Sequence, residues 1–210
     1  MTLPTREQAQ RLMQEAERLN PGPWVRHSWY VAEAARAIAQ RHPALEPESA
    51  WIMGFLHDIG RRAGKTAMRH TLDGYAFLME QGFNTAARLC ITHVFPIKDL
   101  QAVACQWDCS AEEMAFLEAF LAGIEFDLYD RLIQLCDAIA LPTGFCLMEK
   151  RLIDVAVRHG VNDRSIERWQ AFLGIQQAFE ADLGCSIYML LPGVVENTFG
   201  FESSVLPRVE

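Results

Sequence analysis

Four histidines and two aspartates occupy positions that an apolar helical chain does not need for packing. His27 lies in WVRHSWYVAEAARAIA and His57–Asp58 in GFLHDIGRR. His70 opens HTLDGYAFLMEQGF, His93 lies in ARLCITHVF, and Asp137 in LIQLCDAIALPTG. The neighbours of His57 and Asp58 are Trp51, Ile52, Met53, Phe55 and Leu56, and those of Asp137 are Leu132, Ile133, Leu135, Ile139 and Leu141. Polar groups in such company are expected to be buried, and buried polar groups need partners. Imidazole and carboxylate together are a donor set for divalent metal ions. Six such residues, projected inward from five separate helices, would be enough for two ions. Taken singly, each has a plainer reading as a hydrogen-bonded core residue. His42 and His159 stand directly before Pro43 and Gly160, and are read as residues at helix C-termini, where the dipole favours them.

The elements that must position these residues read as helices nearly throughout. Strong helix formers run from 5 to 19 and stop at Asn20, Pro21, Gly22 and Pro23. A second helix covers about 24 to 41, with Ala34, Ala35, Ile38 and Ala39 as a small-residue packing face. A third starts near Glu48 and carries the His-Asp pair near its end. A fourth spans about 71 to 81 before Gly82, and a fifth starts with Asn84 as N-cap and carries His93 up to Pro96. Ser110 and Glu113 form a capping box for a helix to about 121. Further helices are expected at 126–140, 145–159 and 165–183, and no strand is evident. The expectation is an all-α bundle of eight to nine helices forming one domain over 1–210. Its motif core is 24–142, its helical extension begins at 145, and 186–210 form an irregular tail.

Composition narrows the chemistry. Half of the 210 residues are hydrophobic and 22% are charged, which suits a foldable soluble chain. The net charge of -8 argues against nucleic acid polymers and anionic membranes as partners. The start, MTLPTREQAQ, has no apolar stretch of signal-peptide type, and no run is long enough for a membrane span. The six cysteines are scattered without a zinc-ribbon spacing, and a cytoplasmic chain with reduced thiols is expected. Trp29, Tyr30, Tyr75, Phe95 and Trp107 are read as core rather than as stacking platforms. Homo-oligomerisation is left open.

The order His, His-Asp, distant Asp, all on helices, resembles the HD superfamily of metal-dependent phosphohydrolases over about residues 24 to 142. GFLHDIGR is close to the common form of the central motif. The resemblance implies an all-α fold and a metal held by His27, His57, Asp58 and Asp137. His70 and His93 fall where the dinuclear members carry two extra histidines, with Gly74 one turn after His70. They imply a second ion, with Asp58 bridging. Mn, Fe, Ni, Mg and Zn all remain open as the two divalent metal ions. Asp58 and Arg61 are the expected catalytic residues. Related dinucleotide-polyphosphate hydrolases have a basic residue one turn after the motif His, so Arg61 is expected to bind substrate phosphate. Arg62 and Lys65 continue that basic stretch toward Arg69 and are expected to assist.

The expected function is hydrolysis of a nucleotide or another small phosphate ester. Cyclic di-GMP and alarmone branches are disfavoured: Val94 follows His93, Ala76 follows Gly74-Tyr75, and Arg61-Arg62 stand in place of an acidic pair. Val94-Phe95-Pro96 likewise departs from the symmetric diadenosine tetraphosphate hydrolases. Some HD proteins use the same six ligands for a diiron oxygenase that cleaves C–P or C–C bonds. A non-enzymatic nucleotide-binding regulator is the third reading.

Overall fold

The computed structural model describes residues 2–201, so the last nine residues of the expected tail lie outside the described residues. Ten α-helices dominate the described part: α1 (Arg6–Leu19), α2 (Pro23–Ala39), α3 (Pro47–Leu56), α4 (His70–Glu80), α5 (Asn84–Thr92), α6 (Ala111–Gly123), α7 (Leu128–Asp137), α8 (Met148–His159), α9 (Ser165–Leu183) and α10 (Val194–Phe199). The all-α expectation holds. One feature differs: β1 (Ala140–Leu141) and β2 (Gly144–Phe145) form a minimal antiparallel hairpin with Ala140 opposite Phe145. Four residues paired around Pro142 leave no alternating pattern long enough to read in a sequence.

The packing follows from side-chain size. α2 lies along α3, its most extensive partner. The expected small face is real: Ala34, Ala35, Ile38 and Ala39 are all buried. Gly54 on α3 completes the close approach, since a Cβ there would sit 2.9 Å from the Ala32 Cα. α2, α3 and α7 share one apolar core with α8, α9 and the segment after α9, through residues such as Ile38, Met53, Leu135, Leu152, Phe172 and Ile187. The C-terminal helices are therefore packed into the same core as the motif helices.

The tail is more ordered than an irregular segment. Ile187–Leu190 form a 3₁₀ turn, α10 follows, and Ile187, Leu191 and Val194 are buried. Pro192 and Gly193 interrupt these pieces, which hides them from a periodicity reading. Asn84 is not an N-cap. Phe83 holds that position, and the exposed Asn84 N–H is satisfied instead by Thr2 Oγ1 at 3.1 Å. No helix among the described residues is long and apolar enough to cross a membrane. All six cysteines are free.

Candidate metal centre

The His-Asp pair sits where α3 ends. Leu56 is the last α-helical residue, His57 caps the helix, and Asp58 leads into a 3₁₀ turn over Ile59–Ala63. This switch turns Asp58 inward. It is possible because Gly60 lets the turn touch α4: a Cβ on Gly60 would lie 1.9 Å from the His70 carbonyl oxygen and 2.4 Å from the Gly74 nitrogen. Gly74 has the matching role, with the Gly60 nitrogen and Cys90 Sγ at 3.1 and 2.9 Å from its own hypothetical Cβ. The two glycines thus bring the His-Asp turn and the start of α4 into direct backbone contact.

All six expected ligands converge. The two Asp58 oxygens face in different directions. Oδ1 is 3.1 Å from His70 Nε2 and 3.7 Å from His93 Nε2, while Oδ2 is 3.9 Å from His57 Nε2. Asp137 Oδ1 is 2.9 Å from His27 Nε2 and 4.0 Å from His57 Nε2. Two groups of donors result, one around His27, His57 and Asp58, the other around Asp58, His70 and His93, with Asp58 in both.

The hydrogen bonds behind these rings determine what they offer. His57 Nδ1 donates to the Gly54 carbonyl at 2.7 Å, His70 Nδ1 to Ala67 at 2.5 Å, and His93 Nδ1 to Leu89 at 3.0 Å. A ring that donates from Nδ1 presents a bare lone pair at Nε2. Three such lone pairs point at a carboxylate, and His57 Nε2 and Asp58 Oδ1 have no hydrogen-bond partner although both are buried. Lone pairs facing a carboxylate repel one another unless a cation stands among them, and backbone-anchored imidazoles are the usual outer support of metal ligands. The donor set therefore fits divalent metal ions.

The electrostatics agree. Burial lowers the pKa of His57 and, with His57 nearby, brings His93 down to about 3, so both rings are neutral at pH 7. Burial pushes the Asp58 carboxyl upward, but Arg61, His70 and His57 outweigh it and hold it well below the usual carboxylate range. Asp137 is also held low: burial is outweighed by the His27 hydrogen bond and by Arg151.

A network behind the site fixes α5 against α7. Fully buried Asp130 accepts from Thr92 Oγ1 at 2.7 Å and pairs with Arg88, while Gln134 Nε2 donates to the carbonyls of Thr92 and Phe95 at 3.0 and 2.9 Å. These bonds satisfy carbonyls at the end of α5 and hold His93 opposite Asp137. Arg88→Ala would leave the Asp130 charge buried with only the Thr92 hydroxyl and the Asp127 backbone N–H as neutral partners. It is expected to cost about 2–4 kcal/mol, which a thermal melt should register as a fall of roughly 5–15 °C. An unchanged melting temperature would mean that the pair contributes nothing.

The cluster forms one wall of a cavity of about 520 Å³, whose lining includes His27, Asp58, Arg61, His70, His93 and Asp137. Arg61 is where the sequence suggests, with its Nε 2.6 Å from Asp58 Oδ2 and Nη2 3.4 Å from His70 Nε2. The other two expected phosphate ligands are not. Arg62 pairs with Glu15 at 2.9 Å and lies over the Phe77 ring, and Lys65 is exposed; neither lines the cavity. The 3₁₀ turn directs Arg62 toward α1, where a carboxylate is available. Arg69 likewise joins Asp73 and Glu113.

The other cations of the cavity come from α8 and α9: Arg151, Arg158 and Arg168. Beside other polar residues on their helices these look like solvated charges, and only the position of α8 and α9 over the cluster reveals them. His159 does end α8 as expected, but it also lines this cavity, and burial together with Arg158 lowers its pKa. The cavity's indole walls are Trp24 and Trp169, not any of the five aromatics considered from the sequence.

The HD domain's sequence profile matches residues 24–141. With that match covering more than half of the chain, this chain belongs to the HD domain family, known for metal-dependent phosphohydrolases and for binding divalent metals. No curated protein and no solved structure matches it. The matched span ends four residues after Asp137, so α8 and α9 with their cavity-lining cations lie outside it.

Proposed function

We propose that the chain is a metal-dependent phosphohydrolase acting on a nucleotide or another small phosphate ester, with two divalent ions held by His27, His57, Asp58, His70, His93 and Asp137. The observation that carries this reading is the divided carboxylate of Asp58, each oxygen facing a different set of imidazole lone pairs. Divalent ions so held would acidify a water molecule and neutralise charge on a phosphoryl group.

The chain's own residues supply the rest. Gly54, Ala67 and Leu89 carbonyls keep three imidazoles in the ligating tautomer. Asp58 restrains the Arg61 guanidinium at the cavity wall, so a phosphate entering beside the cluster meets a cation whose conformation is already set. Arg151, whose Nη2 is 3.7 Å from Asp137 Oδ1, adds positive charge to the cavity from α8. Guanidinium forks suit phosphate oxygens, and burial strengthens each contact relative to water. This cationic lining favours a substrate that carries a phosphoryl or phosphonyl group over the uncharged substrate of a C–C-cleaving oxygenase, and the phosphate-release assay separates hydrolysis from C–P cleavage.

The test is phosphate release from a panel of nucleotides and small phosphate esters with added Mn²⁺, with Asp58→Ala as control. Release by the wild-type protein alone supports the proposal. Silence across the panel, accompanied by bound iron and oxygen uptake, would replace it with the oxygenase.

A further inference from the structure

Arg168 is a half-buried arginine without a counter-ion. Among the described residues no carboxylate lies within ion-pair distance of it, and its Nε has no hydrogen-bond partner. Its Nη2 reaches only the Val94 carbonyl, at 3.4 Å, and its guanidinium lies over the Phe172 ring, 5.0 Å from the centroid. A cation–π contact of that kind offsets part of the desolvation of a charge, not the whole of it. Arg168 nevertheless lines the same cavity as the metal cluster.

Its neighbours increase the imbalance. Arg151 Nη1 and Arg158 Nη2 both lean on Asp154 Oδ2, at 3.3 and 2.7 Å, so one carboxylate serves two guanidiniums. The other acid near Arg151 is Asp137, already held by His27 at 2.9 Å and claimed by the metal cluster. Three cavity-lining guanidiniums on α8 and α9 therefore have one carboxylate of their own, in a chain whose net charge is -8. A local positive excess inside an acidic protein, built around one half-buried arginine whose buried Nε has no partner, calls for an anionic ligand.

We propose that Arg168, with Arg151 and Arg158, forms a second anion subsite on α8 and α9, which takes a phosphate group of the substrate other than the one at the metal cluster. The substrate class is then a small molecule with two phosphate groups, one at each end of the cavity. This rests on the phosphohydrolase reading for the first phosphate. The subsite itself does not need that reading, because its residues are not metal ligands.

The test is calorimetric titration of inorganic phosphate into the full-length chain in Mg²⁺, for the wild type, Arg168→Gln and Arg158→Gln. The wild type should bind two phosphates per chain. Arg168→Gln should retain one, with metal content unchanged. Arg158→Gln, a change at a half-exposed residue that folding tolerates, should weaken the second site by about tenfold. One wild-type phosphate, with affinity indifferent to both substitutions, would overturn the subsite and leave the phosphohydrolase reading intact. A single phosphate sensitive to both substitutions but unaffected by stripping the metal would support the subsite and count against a metal-bound phosphate. Equal occupation of the second site by malonate and phosphate would overturn its assignment to a phosphate group.

Discussion

Asp58→Ala is expected to empty both metal positions and to lower phosphate release by roughly 10³-fold or more. Asp58 is the one residue common to both donor groups, with Oδ1 3.1 Å from His70 Nε2 and Oδ2 3.9 Å from His57 Nε2. Its loss takes an anionic ligand from each ion and leaves the imidazole lone pairs of His57, His70 and His93 clustered around neutral space. The same change releases Arg61, whose Nε is 2.6 Å from Asp58 Oδ2. Elemental analysis of the purified variant checks the first part, and the Mn²⁺ phosphate-release assay the second. Near-full metal occupancy in Asp58→Ala would refute the shared-ligand arrangement. If one ion were retained, only one of the two groups would depend on Asp58.

Gly60→Ala is expected to be the most disruptive substitution outside the ligands. The added methyl would start 1.9 Å from the His70 carbonyl oxygen and 2.4 Å from the Gly74 nitrogen, and both obstacles are backbone. No side chain can rotate away, so the 3₁₀ turn and α4 must separate. Overpacking of this kind costs about 3 kcal/mol or more, a fall of roughly 6–12 °C in melting temperature for a chain of this size. Because the turn carries Asp58 and α4 begins at His70, the separation should also weaken metal binding. Gly174→Ala is the control. It lies within α9, and nothing stands within 4 Å of its Cβ position. That change should leave stability unchanged or raise it by about 0.5–1 kcal/mol. A Gly60→Ala protein as stable as the control would mean that the contact relaxes more cheaply than its geometry implies.

The residues that converge on the candidate centre were legible because their types contradict their surroundings. His57, Asp58 and Asp137 sit in runs of Leu, Ile and Phe, and a helical period gives such residues no wet face. Arg61 was legible from its motif. Arg62 and Lys65 were not separable from it by sequence, since the partner that draws Arg62 away, Glu15, is 47 positions earlier. Arg151, Arg158 and Arg168 were missed for the opposite reason. Each stands on a helix beside other polar residues, where a charge normally means solvent, and only tertiary packing shows that α8 and α9 close over the cluster. The main helices followed from capping and periodicity: the Ser110–Glu113 capping box is present as read. The hairpin at Ala140–Phe145 and helix α10 are too short to set a period, and the start and end of α5 depend on Thr2 and Asp130 respectively, contacts far away in the chain.

The measurement that tests the central claim most directly is the number of divalent ions per chain, taken by elemental analysis after stripping and reloading with Mn²⁺. The arrangement of Asp58 between two sets of histidines predicts two ions in the wild type and one in a His70→Ala, His93→Ala double variant. A single ion in the wild type, unchanged in the double variant, would contradict it.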